Sequence, residues 1–239
     1  MEELAQRLIS WIREQVTTAN CQGAVVGTSG GLDSALVAVL CKRAFPQNTL
    51  GVLMPCYSSK TDLDDAQIIA RKFDIPTITV VLDEPYDSLL KILPSDGFSP
   101  ETQKIAEANL KPRLRMITLY YLANRLNYLV MGTGNRSELA VGYFTKYGDG
   151  GVDALPLGNL VKSEVKELAR YLDIPGRIIG KVPSGGLWAG QTDEGEMGIT
   201  YEELDQYLLT GEAGEGVREK LNTLVQSSAH KRESPPIPS

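Results

Sequence analysis

Residues 23–35 read Gly-Ala-Val-Val-Gly-Thr-Ser-Gly-Gly-Leu-Asp-Ser-Ala, and no other passage of the chain restricts its fold so tightly. Gly23 to Gly27 form a short apolar run with β-branched residues, suited to a strand buried on both faces. A glycine-rich turn follows at once, and residues 32–45 then place Leu36, Val39 and Leu40 on the inner side of a helix. Glycines let such a turn aim several N–H groups at one point, and the helix N-terminus adds its positive end, which together make an anion site. Ser29 and Ser34 add hydroxyl donors for phosphate oxygens. A Walker A loop would end in Lys-Ser or Lys-Thr, whereas this one offers Asp33-Ser34. A carboxylate repels phosphate unless a cation bridges them, so Asp33 implies Mg²⁺.

Strand and helix alternate around this passage. Leu4, Leu8, Ile12 and Val16 give residues 3–19 the stripe of an amphipathic helix. Strands are expected at 49–54 and 76–82, and helices at 61–73 and 83–93, with a loop at 94–98. A long helix over 101–127, broken near Pro112, leads into a fourth strand at 128–132. The expected class is α/β: a doubly wound, mainly parallel, Rossmann-like sheet with helices on both faces. Ligands then sit at the carboxyl ends of the strands, here Gly27-Thr28-Ser29, Met54-Pro55 and Gly132-Thr133-Gly134.

The Gly/Asp-rich stretch 143–158 is too long for a neutral connector and is a candidate functional loop. A helix at 163–173, a second glycine-rich stretch at 183–199 and a helix from Thr200 to residue 209 follow, the last opened by the capping box Thr200-x-x-Glu203. With no repeat and no linker, residues 1–239 read as a single domain, and the tail at about 225–239 stays mobile unless something holds it.

Composition removes several classes. Hydrophobic residues make up 42% and charged residues 23% of 239, an ordinary globular balance. No apolar run is long enough to cross a membrane and no basic, apolar leader opens the chain, so the expected location is the cytoplasm. The net charge of −6 argues against a partner as polyanionic as nucleic acid. Cys21, Cys41 and Cys56 lack C-x-x-C spacing and are expected to be small apolar residues, neither disulfides nor a zinc site.

The Ser29-Gly30-Gly31-Leu32-Asp33-Ser34 loop resembles the pyrophosphate-binding loop of the N-type ATP pyrophosphatases, which adenylate a substrate at the α-phosphate of ATP. Gly132-Thr133-Gly134-Asn135-Arg136-Ser137-Glu138, the block Gly142 to Asp153, Pro156 to Lys162, Lys181 to Trp188, Gln191 to Glu194 and His230-Lys231-Arg232 narrow the resemblance to the NAD synthetases. That resemblance implies an adenine nucleotide alpha hydrolase-like fold and ATP-dependent amidation of deamido-NAD to NAD; with no room in 239 residues for the glutaminase domain of larger members, the expected nitrogen source is free ammonia or ammonia handed over by a partner. It implies ATP contacts at Gly27, Thr28, Ser29, Gly30, Gly31, Leu32, Asp33, Ser34, Thr133, Lys162 and Ser184. Mg²⁺ would sit on Asp33 and Glu138. The dinucleotide would meet Arg113, with Arg115 the open alternative, and Lys146, Asp153, His230 and Lys231, the tail closing over the site. Family members are homodimers, and the 101–127 helix is the expected contact. No protein nucleophile is expected, because the substrate carboxylate and ammonia supply that role.

Each role has a plainer rival: Glu138 as a first-turn helix charge, and Lys146 with Asp153 as a surface pair. At the level of function, the rivals are an adenylase acting on tRNA, disfavoured by the net charge and scattered cysteines, and a sensor that binds ATP without turnover.

Overall fold

The computed structural model describes every residue except 95, 96, 189 and 239, so part of the expected 94–98 loop lies outside the described residues. In chain order the elements are α1 (Glu2–Thr18), β1 (Gly23–Gly27), α2 (Leu32–Ala44), β2 (Thr49–Leu53), α3 (Lys60–Lys72), β3 (Thr77–Thr79), α4 (Asp83–Ile92) and α5 (Pro100–Leu126). There follow β4 (Tyr128–Met131), α6 (Arg136–Val141), α7 (Lys162–Tyr171), α8 (Gly176–Ile179), α9 (Asp193–Met197), α10 (Tyr201–Thr210), α11 (Glu215–Ser227) and α12 (Ala229–Arg232).

All four strands are parallel, in the order β3-β2-β1-β4. Val25 at the sheet centre pairs with Leu50 on one side and Val130 on the other. The period of two divides β1 between two cores. Ala24 and Val26 face a cluster built on α1, α2 and α7, including Ile12, Leu36, Leu40 and Leu168. Val25 faces the opposite cluster with Val52, Tyr86, Leu119 and Val130, covered by α4 and α5. Burial on both sides explains why the strand is apolar throughout. A third core, Val141, Met197, Tyr201, Leu204 and Leu221, joins α6, α9, α10 and α11.

From β1 the chain winds outward through β2 to β3, then returns across the sheet so that β4 lands on the other side of β1. That reversal opens a crevice between the carboxyl ends of β1 and β4, where the loops after both strands diverge.

Two expectations change. β3 is only three residues long, and all three are exposed, because it is the sheet edge and lacks a partner on its outer side. α5 runs through Pro112 without interruption; the proline is buried against the 145–151 loop, and packing of α5 on β1 and β4 offsets the missing N–H. Residues 225–232 of the tail carry the end of α11 and the whole of α12, and Ser228 and Lys231 tie them to the carbonyls of Val141, Gly142 and Phe144, the hold on which the expected mobility depended. Cys41 and Cys56 are buried and Cys21 half-buried, all unpaired.

Candidate active site

The turn after β1 is held open by its own side chains. Gly30 takes φ of +77°, and a Cβ there would come within 2.1 Å of the Asp62 carbonyl oxygen, so only glycine fits. Ser34 Oγ accepts from the Ser29 N–H at 3.2 Å and donates to the Gly31 carbonyl at 3.0 Å, while Ser29 Oγ accepts from the Gly31 N–H at 3.2 Å. The serine oxygens thus rest on loop N–H groups where a phosphate oxygen would also be favoured. Leu32 and Asp33 open α2, whose first-turn N–H groups have no acceptor within the helix. Thr28 Oγ1 is buried without a hydrogen-bond partner among the described residues, and Thr28 lines the cleft.

A charged cluster stands next to this loop. Lys162 Nζ lies 2.5 Å from Asp33 Oδ2 and 3.3 Å from Glu138 Oε1, and its side chain is only 4% exposed. The three residues come from α2, α6 and α7. Asn135 caps α6 reciprocally with Glu138: its side chain accepts from the Glu138 N–H at 3.0 Å, and Glu138 Oε2 accepts from the Asn135 N–H at 3.2 Å. The same asparagine donates through Nδ2 to Asp33 Oδ1 at 3.0 Å, so one residue orients both carboxylates. Asp205, buried on α10, accepts from Ser137 Oγ at 2.6 Å and from the N–H groups of Lys162 and Ser163 at 3.3 and 2.7 Å, fixing α6 and the start of α7 together. Tyr201 donates within reach of Glu138 Oε1 at 3.2 Å and of Asp193 Oδ2 at 2.9 Å, and its ring lies 4.9 Å from Lys162 Nζ.

Electrostatics follow from burial. Desolvation pushes the Glu138 carboxyl up to about 7; Lys162 opposes the shift and Asp33 adds to it. Burial would depress Lys162, yet the two carboxylates outweigh it and hold the ammonium above the usual lysine range. Asp193 is also raised by burial, and its Oδ1 has no partner among the described residues.

These groups line one side of a cleft of about 510 Å³ at the β1/β4 switch point. Of the residues expected there, Gly27, Thr28, Ser29, Gly31, Leu32, Asp33, Ser34, Thr133, Glu138, Lys162, Ser184 and Lys231 line it. Gly30 lies behind the loop against α3. Lys231 donates to the carbonyls of Gly142 and Phe144, both at 2.9 Å, and so ties the tail to the 143–158 loop. Lys146 donates to the His230 carbonyl and, with Lys231, lines an adjoining smaller cleft. Asp153 is not paired with Lys146; it accepts from Tyr120 OH at 2.9 Å and from the Val130 N–H at 2.8 Å. Arg113 is exposed beside the Lys146 carbonyl, whereas Arg115 lines the main cleft and donates from Nε to the Met54 carbonyl at 3.2 Å. The structure therefore separates the residues expected to meet the dinucleotide: Lys231 and Arg115 line the main cleft, while Arg113 and Lys146 stand close together outside it.

Sequence reasoning assigned no role to Asn135, Tyr201, Asp193, Asp205 or Lys181. Asn135-x-x-Glu138 is a readable capping signature. The others act through contacts across 8 to 151 residues of sequence, for which the chain carries no local signal.

The NAD synthase family profile matches residues 4–235. The NH(3)-dependent NAD(+) synthetase of Carboxydothermus hydrogenoformans is 54% identical over 237 residues, covering 99% of this chain and 97% of that one. Among solved structures, the NMN synthetase of Francisella tularensis superposes with a TM-score of 0.93 at 38% identity, covering 99% of this chain and 98% of that one. The NH3-dependent NAD synthetase of Campylobacter jejuni gives a TM-score of 0.81 at 33% identity, covering 100% and 98%. With the parallel sheet, the glycine-rich turn after β1 and a whole-length match in agreement, the chain belongs to the NAD synthase family and is a ligase.

Proposed function

We propose that the β1/β4 cleft amidates the nicotinate carboxylate of deamido-NAD with free ammonia and ATP. A carboxylate oxygen attacks the α-phosphorus, pyrophosphate leaves, and ammonia displaces AMP from the acyl carbon with loss of a proton. The observation that carries the reading is the convergence of Asp33, Glu138 and Lys162 beside an anion-binding turn. A carboxylate is a poor acyl donor until its oxygen becomes a good leaving group, so the protein's task is to hold two anions together and neutralise their charge.

Gly27 to Ser34 would cradle the ATP phosphates, with Thr133 and Ser184 across the cleft, and Lys162 would serve as a point charge on the phosphate that departs. Mg²⁺ fits the donors: Asp33 and Glu138 already converge on one ammonium, and two carboxylates with phosphates and waters make a usual shell. When bound, the metal would be held by these two and would screen the phosphates against the approaching carboxylate. Arg113, Lys146, Asp153, His230 and Lys231 are proposed for the dinucleotide, with Arg115 toward the main cleft. Residues 1–239 would act as one domain whose tail covers substrate.

Arg113, Ile117 and Tyr121 recur every fourth residue on an exposed stripe of α5, which suits a homodimer contact. The described residues contain no helix able to cross a membrane. A cytoplasmic enzyme with small-molecule substrates and no nucleic acid partner completes the reading.

The likeness to an NMN synthetase favours a second acceptor, the mononucleotide that carries the same nicotinate carboxylate. Both are tested by incubating the protein with ATP, Mg²⁺ and ammonium plus either acceptor, and separating products by chromatography. Faster NAD formation supports the dinucleotide; faster NMN formation moves the assignment to the mononucleotide; glutamine in place of ammonium should support neither.

A further inference from the structure

Lys181 lies outside the charged cluster, at the edge of the same cleft, and its side chain reaches the Gly30 peptide of the loop from the α3 side. Its Nζ donates to the Gly30 carbonyl at 3.2 Å, to Asp62 Oδ1 at 2.5 Å and to Asp65 Oδ2 at 2.9 Å. Gly30 is the residue whose left-handed turn bends the loop, and its missing Cβ lets it rest directly on the Asp62 carbonyl. Among the described residues no backbone N–H donates to the Gly30 carbonyl, since the first α2 bond runs from Ala35 N–H to the Gly31 carbonyl, and Lys181 supplies its donor. Asp65 is 3% exposed and is also paired with Arg177, so the anchor on α3 is rigid. Lys181 itself opens the segment that reaches Ser184 on the far side of the cleft.

We propose that Lys181 is a positioning residue for the ATP phosphates. Its ammonium pins the Gly30 peptide against α3, which keeps the neighbouring N–H groups aimed into the cleft, and it sets the spacing between the loop and Ser184. It acts through Gly30 and does not touch phosphate. The assignment rests on the reading that this loop takes ATP.

The test is steady-state kinetics on Lys181→Met, Lys181→Arg and Asp62→Asn, with calorimetric ATP binding to each protein and thermal melts alongside. For Lys181→Met the KM for ATP should rise roughly tenfold, the scale of one charge-assisted hydrogen bond. The KM for ammonium should stay within about twofold, and Lys181→Arg should recover part of the loss. A lowered melting temperature with an unchanged KM for ATP would overturn the proposal, because that is what a merely structural contact gives. Should Lys181→Met fail to fold, Asp62→Asn decides: it loosens the anchor and leaves Asp65 with Arg177. A rise in the KM for ATP then supports positioning. A fall, expected if a freed Lys181 grips phosphate itself, overturns it. Failure of the unaltered protein to bind ATP would overturn the phosphate-loop reading, whereas equal binding by the unaltered and variant proteins would overturn only the role of Lys181.

Discussion

Lys162 Nζ and Asp33 Oδ2 stand 2.5 Å apart although 129 residues separate them in the chain. The contact joins the first turn of α2 to the first residue of α7, across the crevice where the strand order reverses. Glu138 reaches the same ammonium from α6, so a single cation holds together the three elements that wall the site.

Removing that cation should cost both stability and activity. Lys162→Met leaves two desolvated carboxylates facing each other, and a stability loss of about 3 kcal/mol is expected in denaturant unfolding. Asp33→Asn should lose a similar amount. The double variant should lose clearly less than the sum, because the second change removes the charge stranded by the first.

Metal affinity should depend on pH. Burial holds the Glu138 carboxyl near 7, so at the proposed metal site a proton would compete with Mg²⁺ below that value. Between pH 8 and pH 6 the Mg²⁺ affinity read by isothermal titration should fall roughly tenfold. Glu138→Gln should bind weakly at both. In the metal-free protein the raised value has the opposite sense: the native state holds this proton more tightly than the unfolded chain, so its contribution to stability is complete in acid and is lost as pH rises to about 7.

The helix ends around the site were partly readable. Asn135-x-x-Glu138 and Thr200-x-x-Glu203 carry their capping pattern in the sequence, and both boxes form. The strand at β1 was legible because it is buried on both faces and therefore apolar at every position. β3 is shorter than its 76–82 pattern because the apolar residues continue past the three that pair with β2. α11 is hard to see in the sequence, although Val217, Leu221 and Leu224 have helical spacing, because it lies in a polar stretch and only Leu221 is buried. Asp205 and Lys181 were illegible for a different reason: an isolated Asp or Lys on a helix or loop usually meets water, and only the folded chain shows what it touches.

Asp205 should behave as a buried strut. Asp205→Ala strands the hydroxyl of Ser137 and two N–H groups of α7, and a loss of about 2 to 3 kcal/mol is expected, with a fall in kcat because Lys162 moves with its helix end. Urea unfolding and turnover on the same samples check both parts. Asp205→Asn keeps the shape and should recover some of each.

Asp65 supplies an acid-side test. Burial alone would raise its carboxyl, but Lys181 and Arg177 outweigh it and hold the value below the usual range. Its contribution is thus present above the unfolded-state value and lost as pH falls through the lower native one. The melting-temperature gap between the unaltered protein and Asp65→Asn should be wide at pH 7 and close as the solution is made strongly acidic.

The reaction itself is tested most directly by isotope. Deamido-NAD labelled with ¹⁸O in both carboxylate oxygens, turned over with ATP, Mg²⁺ and ammonium, should deliver one label into AMP, because the carboxylate oxygen that attacks the α-phosphorus departs with it. Mass spectrometry of the AMP and pyrophosphate reads the outcome. Label in AMP and none in pyrophosphate is the predicted result; label in pyrophosphate or inorganic phosphate, or unlabelled AMP alongside amidated product, would contradict adenylation at this site.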